Sequence, residues 1–336
     1  MRVLYITTTQ NASLFAMDKT LMNMGHEAHF FPMDSFYANA SYVEKKLQKL
    51  GCKAGQKRYY EAQKRRLLER VKELQPESVL FFNPNYDHAE LFAAIEQTAK
   101  LRIFLIDPIG EDIRHLPHLP KQGVYTYDRG DVGRLAAYGI EAQYLPIGAT
   151  DAYAYATVPK DIDISFVGTP YGVRWEFLDR IAATGERNGW KLAFYGPFYE
   201  EQNAIRSWLQ KRRFASKHGA LAKVAVNGRQ SPAEVALVYA RSKICLNIDG
   251  NARAHFNPRT YDILATGSFQ LMDRHPDFQE DIIEGRDYAA FDGAEDCLEK
   301  CAYYLSHGEE RERIAGQGHE SAKHITMEHT LRELLK

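Results

Sequence analysis

Two hydrophobic patterns alternate along this chain. Arg2–Thr7, Ser78–Asn83 and Leu101–Ile106 are short apolar runs rich in β-branched and aromatic residues, which predicts strands buried on both faces. Glu27–Phe31, Gly123–Tyr127 and Ala142–Leu145 read as further strands. Between them, Asn11–Met24 has helical spacing and stops at Gly25, and His88–Thr98 repeats that spacing. Tyr42–Leu74 is also helical, with interruptions near Gly51 and Gly55. Strands separated by helices and short links imply right-handed βαβ units and a parallel sheet.

The period disappears over residues 148–161 (GATDAYAYATVPKD) and then restarts. Ile162–Val167, Leu192–Tyr195, Val224–Val226, Ile244–Ile248, Phe269–Met272 and Tyr288–Phe291 read as strands. Trp175–Gly185, Pro232–Ala240, Pro258–Ala265, Ala294–Ser306 and Glu309–Gln317 read as helices. The expectation is an α/β protein of two Rossmann-like domains facing a cleft, residues 1–152 and 153–318. A last segment, 319–336, is expected to be helical and to pack back toward the first domain.

Composition narrows the function classes. The chain has 336 residues, ample for two cores, with 45% hydrophobic and 26% charged residues. Its 43 Lys and Arg against 44 Asp and Glu leave a formal charge of −1, which argues against a dedicated nucleic-acid binder. No apolar run approaches the roughly 18–20 residues of a transmembrane span. The start, MRVLYITTTQ, lacks the long apolar stretch and cleavage site of a secretory signal, so a cytoplasmic location is expected. Four cysteines without a CxxC suggest no disulfide framework, and Cys297 and Cys301, four apart on one helix, are expected to pack. Metal is not expected: His115 and His118 have Pro117 between them and no third ligand. Residues 45–72 hold eleven basic and two acidic side chains, among them Arg58, Arg65, Arg66 and Arg70. That stretch is either a solvated helix face or a surface for an anionic acceptor or membrane headgroups.

Open parallel sheets bind ligands beyond the carboxyl ends of their strands, and this selects the loops to inspect. The first, Thr7-Thr8-Thr9-Gln10-Asn11, offers hydroxyls and an amide to a polar substrate, or simply caps a helix at Asn11. It has no GxGxxG, and the chain has no P-loop. After Val167 comes GTPYGVRWEF, where Gly168 lets backbone amides approach an anion at a helix N-terminus. Arg174 in that first turn opposes the helix dipole; a diphosphate would explain it, as would a surface carboxylate. In HFNPRTYDILATG, Asp262 follows Arg259 by three residues inside a short helix. The pair is either a surface ion pair or a site in which the acid accepts ribose hydroxyls and the Arg meets phosphate. Asp107 and Asp128 close two strands and are candidate general bases or turn residues.

The stretches DISFVGTPYGVR, FYGPF, VYARSKICLNID, NPRTYDILATGSFQLMD, IIEGRDYAAF and YYLSHGEERERIAGQGHESA resemble the glycosyl transferases group 1 domain of the CgeB-like (spore maturation protein) family. They fall in order between residues 161 and about 330, and the run from Arg259 through Gly267 to Asp273 is the most specific. The first half matches only loosely, through Asp107, Asp128 and YLPIGA. The resemblance implies the GT-B architecture, an N-terminal acceptor domain, a C-terminal nucleotide-sugar donor domain and transfer without a bound metal or cofactor. Uridine is the base expected from the fold, so a UDP-sugar would be the substrate. It also gives Gly168 and Arg174 the donor diphosphate, sets Tyr195, Gly196, Asn227 and Gly228 near the nucleotide, and puts Asp262 on the ribose with Arg259 at the phosphates. Two positions depart from the related enzymes. Asp262 stands where Glu is usual, and Ala254 stands where a second Glu is common, leaving His255 as the nearest ionisable neighbour.

The leading expectation is therefore a hexosyltransferase-type glycosyltransferase acting on a glycan, protein or small-molecule acceptor. Retention of configuration is expected by analogy. The alternatives are a nucleotide-sugar epimerase, which would turn over donor without acceptor, and a non-catalytic nucleotide-sugar-binding or assembly protein. No nucleic-acid partner and no transmembrane segment are expected; peripheral membrane contact would run through residues 45–72.

Overall fold

The computed structural model describes residues 1–7, 17–33, 40–52, 54–84, 89–107, 109–110, 116–199, 204–249, 256–274 and 282–336. The readings placed on Thr8–Asn11, His115, Ala254 and His255 lie outside them. The chain divides into two compact units, Met1–Ile147 with Met327–Lys336, and Gly148–Thr326.

The first unit holds strands β1 (Arg2–Thr7), β2 (Glu27–Pro32), β3 (Ser78–Phe82), β4 (Lys100–Leu105), β5 (Val124–Thr126) and β6 (Ala142–Tyr144). They pair in parallel in the order β2-β1-β3-β4-β5-β6. Side chains alternate across the sheet, and both faces are buried, so the strands are continuously apolar. Leu4 and Ile6 of β1 join Leu67, Val71, Leu91 and Ile95 in one layer. Val3 and Tyr5 join Met17, Leu21, Leu331 and Leu334 in the other. The last helix, Met327–Leu335, thus completes the first unit's core, and Thr330 Oγ1 donates to the Pro146 carbonyl at 2.9 Å.

The second unit holds β7 (Ile162–Val167), β8 (Leu192–Gly196), β9 (Ala225–Asn227), β10 (Ser242–Asn247), β11 (Gln270–Asp273) and β12 (Ala289–Phe291). These also form a parallel sheet, in the order β12-β11-β10-β7-β8-β9. Ile164, Phe166, Phe194 and Leu246 pack against Leu178, Ile181, Cys297 and Cys301. The two cysteines are fully buried on the helix Gly293–Ser306. Strand order reverses between β10 and β7, and in the first unit between β1 and β3. Those are the switch points where loops on either side diverge and leave room for a ligand.

Several elements match their expected bounds because strong local signals set them. Pro232–Ala240 starts behind a Ser231–Glu234 capping box, and Pro258–Ala265 behind an Asn257 cap, each with Pro in the first turn. Tyr42–Leu74 is two helices, Tyr42–Lys49 and Ala54–Leu74, parted at Gly51 (φ 88°). Ala54–Leu74 buries Tyr60, Gln63, Leu67, Val71 and Leu74 and exposes Arg58, Arg65 and Arg66. Three helices among the described residues were not anticipated: Arg129–Ala136, Ala204–Lys217 and the single turn Leu221–Val224.

Candidate functional site

The second unit's switch point gathers the polar groups that an apolar sheet would otherwise exclude. Asn247 ends β10 and is fully buried. Its amide nitrogen faces acceptors on Asn257 (3.1 Å), Thr260 (3.0 Å) and Gln270 (3.2 Å). Its oxygen accepts from Asn257 Nδ2 and from Arg259 Nη1, both at 2.9 Å. Asn257 in turn caps the helix Pro258–Ala265, its side chain accepting from the Thr260 amide. This buried network fixes the helix start to the strand end, and buried polar groups hold a geometry when all are satisfied.

Arg259 is the product of that arrangement. Its guanidinium lies 5.6 Å from the Phe166 ring centre and makes no ion pair with a carboxylate of the described residues. It also lies over Gly168, where an added Cβ would come within 2.6 Å of Arg259 Nη2. A side chain at position 168 would therefore displace the Arg259 guanidinium. Gly196 is required by a close backbone approach, since its Cβ would fall 2.1 Å from the Gly168 carbonyl oxygen. The loop ends are stitched together by backbone: Gly168 N donates to Tyr195 O at 2.9 Å, and Gly228 N to Gly196 O at 3.0 Å. Asn227 accepts the Tyr199 amide at 2.9 Å, and Gly228 (φ 116°) has open space around it.

Asp262, one turn beyond Arg259, is half-buried, and no hydrogen bond or ion pair forms on its carboxyl among the described residues. Desolvation pushes that carboxyl up to about 8, only partly offset by the Arg259 charge. Tyr153, stacked on Tyr239 at 6.4 Å, has its phenol raised by burial and then by the Asp262 charge. An unpaired acid in such surroundings can accept two hydroxyl donors, and an unpaired guanidinium beside it can take a bidentate anion.

Arg174, read from the sequence as a diphosphate ligand or the partner of a surface carboxylate, is enclosed by the loop ends. It is only 5% exposed. Nε donates to the Ile248 carbonyl at 2.6 Å and Nη1 to the Thr169 carbonyl at 2.9 Å. Nη2 lies 3.8 Å from Asp249 Oδ1, and the group stacks 4.1 Å from the Tyr171 ring centre. Burial, then the neighbouring Arg259 charge, pulls its pKa down to about 10. Arg174 thus ties the loop after β7 to the end of β10. Asp249 is buried as well, and its second oxygen has no partner among the described residues. Asn247 and Asp249 were missed by sequence reasoning; the signal was two polar residues closing the apolar run KICLNID at a strand end.

The remaining candidates lie in the first unit. Asp107 is exposed past β4 and accepts a hydrogen bond from Asn83 Nδ2. Asn83 adopts a left-handed conformation (φ 45°) at the switch point, and its side-chain oxygen accepts the Ile106 and Asp107 amides at 2.7 and 3.2 Å. Asp128 is buried and caps the helix Arg129–Ala136, accepting from Gly130 N at 2.8 Å. Three residues on, Asp131 accepts the Ile109 amide at 2.7 Å and pairs with Arg134 at 3.1 Å, and burial holds its carboxyl up.

Residues 174–336 match the family described as "Glycosyl transferase-like". No curated protein matches the chain. Among solved structures, a glycosyltransferase from Rickettsia africae is similar with a TM-score of 0.69 at 12% identity, covering 99% of this chain and 96% of that one. Anabaena Alr3699/HepE in complex with UDP-glucose is similar with a TM-score of 0.67 at 10% identity, covering 100% and 98%. The UDP-GlcNAc 2-epimerase of Neisseria meningitidis gives 0.58 at 11% identity, covering 100% and 99%. The chain therefore has the GT-B fold, and its C-terminal part is similar to the glycosyl transferase-like family.

Proposed function

We propose that this protein is a nucleotide-sugar-dependent glycosyltransferase whose donor site is the end of β7 and β10 in the second unit. The observation that carries the reading is the Arg259–Asp262 pair, which among the described residues is a guanidinium without a carboxylate partner and a desolvated carboxyl without any partner. Asp262 accepts the two ribose hydroxyls, and Arg259 takes the diphosphate together with backbone amides of the Gly168 loop. Uridine is the assigned base, supported by the likeness to HepE, which holds UDP-glucose in its own structure. The order of motifs shared with CgeB-like proteins supports the same class.

Transfer breaks the bond between the anomeric carbon and the diphosphate oxygen and forms one to the acceptor oxygen. Negative charge gathers on the leaving diphosphate, where Arg259 and oriented backbone amides stabilise it without requiring a metal. In the retaining course assigned here, the acceptor's proton passes to the departing phosphate. Of the side-chain bases, exposed Asp107 ranks ahead of buried Asp128.

A nucleotide-sugar epimerase is the second reading. It draws on the likeness to UDP-GlcNAc 2-epimerase and on the unpartnered oxygen of Asp249, an acid at the same strand ends. A thermal-shift panel of uridine, guanosine, thymidine and cytidine diphosphates, with and without EDTA, tests the donor site. A ligand at about 100 times its Kd adds ~2.7 kcal/mol. The uridine compound is expected to raise Tm with EDTA present. No shift with any diphosphate would point to the non-catalytic reading, and turnover of UDP-sugar without acceptor would point to the epimerase.

A further inference from the structure

The helix Ala204–Lys217 carries an apolar face that the protein core does not use. Its inward positions are Ser207, Gln210 and Phe214, spaced three and four apart, and Phe214 packs with Trp175, Phe198 and Tyr199. Ile205, Trp208 and Leu209 fall on the opposite side at the same helical spacing and are 74%, 54% and 44% exposed. Large apolar side chains gathered on an outward face indicate an interaction site, whereas single ones do not.

The charges on this helix say what covers that face. It carries Arg206, Lys211, Arg212, Arg213 and Lys217 and no acid; Glu200 and Glu201 precede it. Arg212 lies over the Trp208 ring at 4.7 Å. Lys211, Arg213 and Lys217 form no ion pair among the described residues and are exposed. The helix Ala54–Leu74 differs, since Glu61, Glu69 and Glu73 interleave its cations and no large apolar residue sits among its exposed positions. A second copy of the chain would set five cations against five, and three apolar side chains fall far short of the roughly 20–30 residues a side of a stable protein interface. An apolar strip with an indole, flanked by lysines and arginines, is the composition of a helix lying in a membrane interface.

We infer that Ala204–Lys217 binds the surface of an anionic phospholipid bilayer, with Ile205, Trp208 and Leu209 entering the headgroup boundary and the flanking cations meeting lipid phosphates. No helix of the described residues is long and apolar enough to cross a membrane, so the contact is peripheral. The inference is independent of the donor-site reading, because none of these residues belongs to that site.

Co-sedimentation of the full chain with phosphatidylcholine vesicles, with and without phosphatidylglycerol, tests it. Binding is expected only with the anionic lipid and is expected to weaken in high salt. The Ile205→Ser/Trp208→Ser variant and, separately, Lys211→Gln/Arg213→Gln/Lys217→Gln are each expected to lower partitioning at least about tenfold while Tm stays unchanged. Brominated lipid is expected to quench wild-type fluorescence, and Trp208→Phe to remove the quenching. Absence of wild-type binding, undiminished binding by both multiple variants, or a concentration-dependent dimer that Trp208→Ser dissolves would each overturn the assignment.

Discussion

Replacing Arg174 with Ala is expected to destabilise the chain by about 3–5 kcal/mol, the usual result of removing one partner from a buried ion pair. The guanidinium is enclosed, and three groups depend on it: the carbonyls of Ile248 and Thr169 and the carboxylate of Asp249. Asp249 already has one oxygen unpartnered among the described residues, so losing Arg174 removes the one ion pair this buried acid makes among them. Arg174→Lys keeps the charge but lacks the planar fork that reaches two carbonyls at once, so it is expected to recover only a minor part of the loss. Denaturant unfolding measures both. A cost below about 1 kcal/mol for the Ala variant would mean that the loop after β7 is held by something other than this residue.

The Asp262→Asn variant is expected to be more stable than wild type at pH 7 and poorer at binding nucleotide. With its carboxyl pushed up to about 8 from 3.8, the folded chain keeps a proton on Asp262 that the unfolded chain has already lost. Folded-state stability therefore falls as pH rises between about 4 and 8 and levels off above that. Asn is neutral in both states, so the variant loses this slope and gains on the order of a few kcal/mol at pH 7 to 9. Nucleotide binding goes the other way. Ribose hydroxyls donate to the ionised carboxylate, so binding expels the proton, and wild-type affinity for UDP is expected to rise with pH until the free group is ionised. Losing a hydrogen bond to a charged acceptor costs ~1.5–3 kcal/mol, about 10- to 150-fold in affinity. Unfolding curves and UDP titrations from pH 5 to 9 check the two slopes. An Asn variant with the wild-type slopes would remove Asp262 from the ribose site. Stability given up at a binding residue is a common trade in functional sites.

Much of the fold was legible because both sheets are parallel and covered on both faces. Continuous apolar runs such as Ile162–Val167 then stand out, and Pro with a capping side chain marks helix starts such as Pro258. The helix Arg129–Ala136 was hidden by two glycines and by Asp128, which reads as a turn but serves as the cap. Ala204–Lys217 was hidden because its apolar residues lie on two opposite faces, so no single stripe appears. At the site, the sequence signal for Arg259 and Asp262 came from their spacing in one short helix. The burial of Arg174 was not legible because nothing in the sequence shows that Ile248 and Thr169, 74 and 5 residues away, would take its hydrogen bonds. Asn247 escaped because its five polar contacts come from side chains brought together only by the crossover between β10 and β11.

The central claim is that Arg259 meets the diphosphate of a nucleotide held at the end of β7 and β10. Calorimetric titration of UDP and of uridine into the wild type and into Arg259→Gln measures it directly. The account predicts that the variant loses about tenfold or more of its affinity for UDP, the worth of a charge-assisted phosphate contact, and keeps its affinity for uridine. Equal affinities of the two proteins for UDP, or an equal loss for UDP and uridine, would contradict it.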